Sequence, residues 1–183
     1  MKIFTLTNKQ NFPVTGKITY NENIYNVGML QLLKTERVLL MYLNNLFVFG
    51  TLLPGLENYR RFVEAYKPEV HVARTTGTMY YLPEDGYPVV TTDGDGEIKG
   101  VMFVTRELPV ILPQIDEIQK YTGVDSQSHL IREIRDVELV ETGEVVKAHM
   151  YLWPRSKTEW LKEHGIVIPD GDWARFLREL KKD

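Results

Sequence analysis

A segment in the second half of the chain places carboxylate and amide side chains close together in the sequence. Asp116, Glu117 and Gln119 follow Pro113, a residue suited to the first turn of a helix, and the pattern predicts a helix through about Lys120. At 100° per residue, Glu117 lies roughly 160° from position 119 around the helix, and Asp116 only roughly 60° from it. Asp116 is therefore the carboxylate expected to share a face with Gln119.

A glycine-containing loop, Gly50-Thr51-Leu52-Leu53-Pro54-Gly55, is the second candidate for chemistry. It follows the apolar run Leu46 to Phe49 and precedes a segment with helical periodicity. It has neither the lysine of a P-loop nor a dinucleotide-binding fingerprint. Consecutive backbone N–H groups between a strand and a helix can form a nest for a carboxylate. An ordinary strand-to-helix turn is the alternative.

Metal and thiol chemistry have little support in the residue types. The chain has no cysteine, which excludes disulfides, thiol catalysis and thiolate-bound zinc. Its histidines lie far apart, without the short spacing of a local metal site: His71, His129, His149 and His164. The segment Asp93-Gly94-Asp95-Gly96 lacks the later ligands of a calcium loop and is predicted to be a turn. We therefore expect neither a metal nor a cofactor.

The overall composition is that of an ordinary globular protein. The chain has 183 residues, of which 43% are hydrophobic and 26% charged, and its net charge is -3. The acidic balance argues against a nucleic-acid partner. The longest apolar run, residues 38–43, is far shorter than the roughly 20 residues of a membrane span. Polar residues from Thr5 onward leave no signal-peptide core, so we expect a cytoplasmic protein that contacts no membrane.

Short strand patterns separated by turns dominate the chain. Strands are predicted at 77–82 and 98–104, and a hairpin is predicted from 134–140 and 145–153. A second hairpin is predicted from 38–43 and 46–49, with its turn at Asn44-Asn45. A buried helix over 29–43 is the alternative to this second hairpin. Further helices are predicted after a cap at Asn58, after a capping box at 156–159, and after Asp170 or Asp172. This pattern predicts an α+β fold with a small, mixed, mostly antiparallel β-barrel and flanking helices.

The N-terminal residues 1–43 are expected to form an extension that packs on a core domain of residues 44–183. Ile3, Phe4, Leu30 and the run 38–43 carry more apolar surface than a free tail can expose.

Five sequence blocks between Leu46 and Trp153 resemble, in order, those of the γ-glutamylcyclotransferase-like (AIG2-like) family. The blocks are Leu46 to Gly55, similar to "FVYGTL…PG"; Gly77 to Tyr80 with Gly86 to Val90; Ile98 to Val104; Ile115-Asp116 with Gln119 and Tyr121, similar to "L-D-x-x-E"; and Arg132-Glu133 with Ala148 to Leu152.

The resemblance implies a β-barrel transferase or lyase that releases 5-oxoproline from a small-molecule γ-glutamyl amine. In that chemistry the α-amine of the substrate attacks its own γ-carbonyl, and a carboxylate takes up and returns the proton. By resemblance, the backbone amides of Gly50, Thr51 and Leu52 hold the substrate α-carboxylate. The same resemblance adds Phe49 and Tyr87 to the pocket lining, with position 119 as the site of the acid–base group.

Three positions depart from the family pattern. Gln119 occupies the place of the acid–base glutamate, Phe49 that of a tyrosine, and Leu130 that of the tyrosine two residues before Arg132. An amide cannot accept and return a proton near neutral pH. Two readings follow: an enzyme in which Asp116 substitutes for the missing acid, or a non-catalytic module that binds a γ-glutamyl group or another carboxylate. An introduced Glu→Gln exchange would leave the same sequence.

Overall fold

A computed structural model describes residues 44–181 of the chain. This part contains eight strands: β1 (Asn45–Val48), β2 (Glu69–Thr76), β3 (Thr78–Leu82), β4 (Tyr87–Thr91), β5 (Glu97–Val104), β6 (Ile131–Leu139), β7 (Val145–Leu152) and β8 (Ile166–Val167). The α-helices of the same part are α1 (Glu57–Phe62), α2 (Leu108–Ile118), α3 (Thr158–His164) and α4 (Trp173–Leu180). The predicted N-terminal extension lies outside the described residues.

The central element is a closed five-stranded barrel with the order β1-β5-β2-β6-β7. Four of its strand pairs are antiparallel, and the parallel pairing of β1 with β7, at Leu46 and His149, closes it. A second, three-stranded sheet has the order β4-β3-β8. The predicted α+β fold with a mixed, mostly antiparallel barrel is confirmed.

Two layers of apolar side chains hold these elements together. Alternate residues of the barrel strands fill the interior, including Phe47, Met102, Val137 and Met150. Residues of the opposite parity, such as Leu46 and Phe103, pack with Leu108, Ile111 and Ile115 of α2 in a second cluster outside the barrel. Helix α2 is therefore fixed against the barrel wall through its buried stripe.

The start of β1 depends on a contact with a residue far away in the sequence. The predicted turn at Asn44-Asn45 is wrong at Asn45, which belongs to β1. Its buried side-chain amide donates to the carbonyl of Lys147, 2.9 Å away, so the polar group is satisfied inside the barrel wall. The predicted strand at 38–43 and the alternative helix over 29–43 lie outside the described residues. The predicted hairpin of β6 and β7 is confirmed.

Helix α2 begins earlier than predicted. It starts at Leu108, with a proline in its first turn, and Pro113 lies inside it rather than at its beginning. Leu108, Ile111 and Leu112 are buried, so packing against the barrel outweighs the hydrogen bond that Pro113 cannot donate.

The other helices also test the predicted caps. The predicted cap at Asn58 is wrong, since helix α1 begins at Glu57 and includes Asn58, whose side-chain amide donates to the Thr51 hydroxyl. The capping box at 156–159 is wrong, since α3 follows a 3₁₀ turn and has no side-chain cap. Asp172 does cap α4 and accepts a 2.9 Å hydrogen bond from the Arg175 amide. No helix between residues 44 and 181 is long and apolar enough to cross a membrane.

Candidate functional site

A pocket of about 190 Å³ lies where the end of β1, the loop after it, the start of β4 and the end of α2 meet. The described residues that line it are Phe47, Val48, Phe49, Gly50, Thr51, Leu52, Asn58, Asp85, Tyr87, Pro88, Ile118, Gln119, Lys120, His129, Leu130 and Tyr151. This set contains every site residue expected from the sequence except Asp116. Their roles in binding or catalysis stay predictions, but the chain brings them to one place.

The loop after β1 is held in a fixed turn with free amides. The Leu53 amide donates to the Gly50 carbonyl over 2.9 Å, which closes the turn. Among the residues that the structure describes, the amides of Gly50, Thr51 and Leu52 donate to no acceptor. A Cβ atom at Gly50 would lie 2.9 Å from Cγ of Pro88, so glycine lets this loop pack closely on β4.

Gln119 stands at the C-terminal end of α2, half-buried in the pocket wall. Its backbone amide still donates to the Ile115 carbonyl, over 2.9 Å. Lys120 then turns the chain out of the helix with a left-handed backbone, φ 51°. The Lys120 carbonyl accepts from the His129 amide at 2.9 Å, so the returning loop is fastened to the helix end.

Asp116 lies one turn earlier, and its carboxylate has two partners. The Tyr151 hydroxyl donates to its Oδ1 over 2.6 Å, and Nε of Arg132 lies 3.1 Å from the same oxygen. Burial, followed by the bond to Asp116, raises the pKa of Tyr151 above its usual value, so this hydroxyl is protonated. Tyr151 lines the pocket and Asp116 does not, which leaves Asp116 behind the tyrosine.

His129 is one of four ionisable pocket residues that sequence reasoning missed, the others being Asp85, Lys120 and Tyr151. Its Nε2 lies 2.5 Å from the Tyr87 hydroxyl, and its ring meets Trp153 edge-on at 5.5 Å. Burial lowers the pKa of His129, with a smaller effect from Lys120 and Lys157. Burial also raises the pKa of Tyr87 to about 12. The one sequence signal was its position directly before Leu130, which the resemblance places in the cleft.

The remaining charges suit a small zwitterionic ligand. Lys120 and Asp85 both line the pocket and supply opposite charges beside the loop amides. Within residues 44–181, no three His, Asp or Glu side chains are grouped to hold a metal ion. The pocket thus presents backbone N–H donors and one charge of each sign.

Comparisons with known proteins agree with this architecture. The family model described as "Gamma-glutamyl cyclotransferase, AIG2-like" matches residues 46–175. No curated protein gives a significant match.

Two solved structures, YkqA and an allophanate hydrolase, show the same fold at low sequence identity. YkqA from Bacillus subtilis has a TM-score of 0.54 and 20% identity over 76% of this chain and 43% of its own, so the present chain spans less than half of YkqA. An allophanate hydrolase from Kluyveromyces lactis has a TM-score of 0.52 and 18% identity over 75% of this chain and 21% of its own. An AIG2-like protein from Mus musculus has a TM-score of 0.49 and 18% identity, over 66% of this chain and 83% of its own.

Proposed function

Because this chain belongs to the gamma-glutamyl cyclotransferase, AIG2-like family, we propose that it releases 5-oxoproline from a small γ-glutamyl amine. The α-amine of the substrate attacks its own γ-carbonyl, the bond to the leaving nitrogen breaks, and a lactam and a free amine result. The observation that carries the proposal is the pocket in which the Gly50 loop, Tyr87 and Gln119 meet.

We assign substrate binding to backbone amides and charged side chains of the pocket lining. The amides of Gly50, Thr51 and Leu52 can donate to the substrate α-carboxylate, because they have no acceptor among the described residues. Lys120 adds a positive charge for the same carboxylate, and Asp85 a negative charge for the α-amine before it loses its proton. These contacts favour a free γ-glutamyl group over an N-blocked one.

Proton transfer is the step for which this pocket lacks a suitable side chain at position 119. One group must take a proton from the attacking amine and return it to the leaving nitrogen, and this contribution is typically about 10²–10⁴-fold in rate. Gln119 can hydrogen-bond the substrate but cannot carry that proton. Asp116 could act from behind Tyr151, although its carboxylate is engaged by Arg132. We therefore expect slow turnover by the chain as it stands.

A second function has its own observation in its favour. An amide side chain occupies position 119 of the pocket wall, where the resemblance places the acid–base group. The protein would then bind a γ-glutamyl group, or a similar carboxylate, without cleaving it. In either case the partner is a small molecule rather than nucleic acid, in keeping with the net charge of -3. The cysteine-free composition is consistent with a cytoplasmic location.

The deciding experiment measures 5-oxoproline release and ligand binding side by side. The substrates are a panel of γ-glutamyl dipeptides and γ-glutamyl-ε-lysine, and calorimetry measures their affinity. The variants are Gln119→Glu, which supplies a carboxylate, and Asp116→Asn, which removes the nearest one. Glu117→Gln is the matched control, because Glu117 is exposed and does not line the pocket.

The expected result is slow release by the unaltered protein and a rise of about 10²-fold or more in Gln119→Glu. Glu117→Gln should match the unaltered protein. Binding of the dipeptides without release by either protein would favour the non-catalytic module. Absence of both binding and release in every variant would refute the assignment of the pocket to γ-glutamyl ligands.

A further inference from the structure

We infer that Tyr87 and His129 form a proton relay that supplies, at a reduced rate, the acid–base step that Gln119 cannot. The inference rests on the proposed function, since the proton it moves is that of the substrate amine. It gives the pocket a catalytic pair built from residues of β4 and of the loop before β6. Asp116 then positions Tyr151 by accepting its hydroxyl hydrogen bond, and it does not line the pocket itself.

The geometry fits a relay because the two groups touch each other and the pocket. Nε2 of His129 lies 2.5 Å from the Tyr87 hydroxyl, and both residues line the pocket that Gln119 also lines. The two rings meet edge-on, with centroids 6.1 Å apart and an interplanar angle of 72°. A proton received by the tyrosine oxygen can thus pass to the imidazole without either side chain moving far.

The surrounding structure fixes the imidazole. The His129 amide donates to the Lys120 carbonyl over 2.9 Å, and the ring packs edge-on against Trp153. The preceding residue, Ser128, is 1% exposed, and its carbonyl accepts from Nζ of Lys157 over 2.9 Å. The backbone at His129 is thus fixed, and the ring lies between Trp153 and Tyr87, which preorganises Nε2 to accept a proton from Tyr87.

Burial and the charges around His129 favour its neutral form. Burial lowers the pKa of His129 most, and Lys120 at the end of α2 and Lys157 in the turn before α3 lower it further. Asp85 acts in the opposite sense with a smaller effect, and Tyr87 is a neutral partner. A neutral imidazole that carries its proton on Nδ1 has a free lone pair on Nε2, and in this tautomer Nε2 can accept the hydroxyl proton of Tyr87.

The step is balanced in atoms and charge. As the neutral α-amine forms its bond to the γ-carbonyl carbon, its N–H proton passes to the Tyr87 oxygen, and the Tyr87 hydroxyl proton passes to Nε2 of His129. The imidazolium then returns a proton through Tyr87 to the leaving nitrogen as its bond to carbon breaks. The lactam and the free amine leave, and both side chains regain their starting state.

The test is a double-mutant cycle on the full chain, with 5-oxoproline release as the readout. His129→Gln and Tyr87→Phe are each made in the Gln119 protein and in Gln119→Glu. The relay predicts a loss of at least tenfold for either variant with Gln119, and no further loss when both are combined. The loss should be less than about threefold in the Gln119→Glu background, where the introduced carboxylate carries the proton. His164→Gln, on the exposed part of α3, is the matched control and should change neither background.

A pH profile separates proton transfer from a structural role. With Gln119, kcat/KM should fall more steeply from pH 8 to pH 5 than with Gln119→Glu, because protonation of His129 removes the acceptor of the relay. The substrate amine titrates equally in both backgrounds and cancels in the comparison. Parallel profiles would overturn the relay.

The outcomes keep the two proposals apart. If His129→Gln lowers 5-oxoproline release equally in both backgrounds, His129 only shapes the pocket. If His129→Gln leaves release unchanged, His129 takes no part in the reaction. Either result overturns the relay and leaves the proposed function in place. If Gln119→Glu releases 5-oxoproline and the Gln119 protein releases none, the relay is likewise overturned and the proposed function stays in place. Absence of release in both backgrounds overturns the proposed function and the relay together.

Discussion

Substitution of Gly50 by alanine tests whether the loop packing sets the geometry of the pocket. The new Cβ would lie 2.9 Å from Cγ and 3.3 Å from Cδ of Pro88. Carbon atoms reach their optimal contact at about 3.5 Å or more, so the loop must move away from β4 by about 0.6 Å, given the present 2.9 Å separation. The proline ring offers no flexible end that could yield instead.

Two effects of different size follow from this displacement. Overpacking by one methyl group costs about 1–3 kcal/mol, which corresponds to a melting temperature lower by about 2–12 °C in a chain of this length. The Gly50 and Thr51 amides also shift relative to Tyr87, and a misplacement of this order lowers affinity or turnover by about tenfold. Thermal unfolding by circular dichroism and calorimetric binding of a γ-glutamyl dipeptide measure the two effects separately.

Gly143→Ala is the matched control for this experiment. Gly143 lies in the turn between β6 and β7 with φ 70° and has no atom within 4 Å of an added Cβ. The left-handed backbone costs an alanine about 1–2 kcal/mol, so the control should lose comparable stability while binding stays unchanged. A Gly50→Ala protein with unaltered melting temperature and affinity would refute the reasoning, as would equal losses of affinity in both variants.

Three further predictions concern stability. Gly100→Ala should lower the melting temperature more than Gly143→Ala, because its Cβ would lie 2.2 Å from a backbone carbonyl of β1; an equal change would contradict this. Asp172→Ala should lower the free energy of unfolding, measured in urea, by about 1 kcal/mol, because it removes the cap of α4. Asp172→Asn should keep most of this stability, because its side-chain oxygen can still accept a hydrogen bond from the Arg175 amide. Burial, then Arg132, lowers the pKa of His149, so the unfolded chain binds more protons and stability should fall from pH 7.5 to pH 5; His149→Gln should lessen that fall in melting temperature.

The sequence by itself determined the elements whose signals are local. Alternation along 145–152 and the turn at Gly143 predicted the β6–β7 hairpin, because side chains of a strand point alternately to its two faces. The ordered blocks from Leu46 to Trp153 indicated the family and its barrel. They also identified the Gly50 loop, Tyr87 and position 119 as neighbours, and all of them line one pocket.

Tertiary structure decided which partner each polar group has. Asn45 belongs to a strand rather than a turn because its amide meets a carbonyl 102 residues away. Asp116 is held by Arg132 and Tyr151 because β6 and β7 pass beside α2. His129 meets Tyr87, 42 residues earlier, only where the loop after α2 returns to β4. Such pairings depend on strand register and barrel closure, and the local periodicity of a sequence does not encode the distance between segments that are remote along the chain.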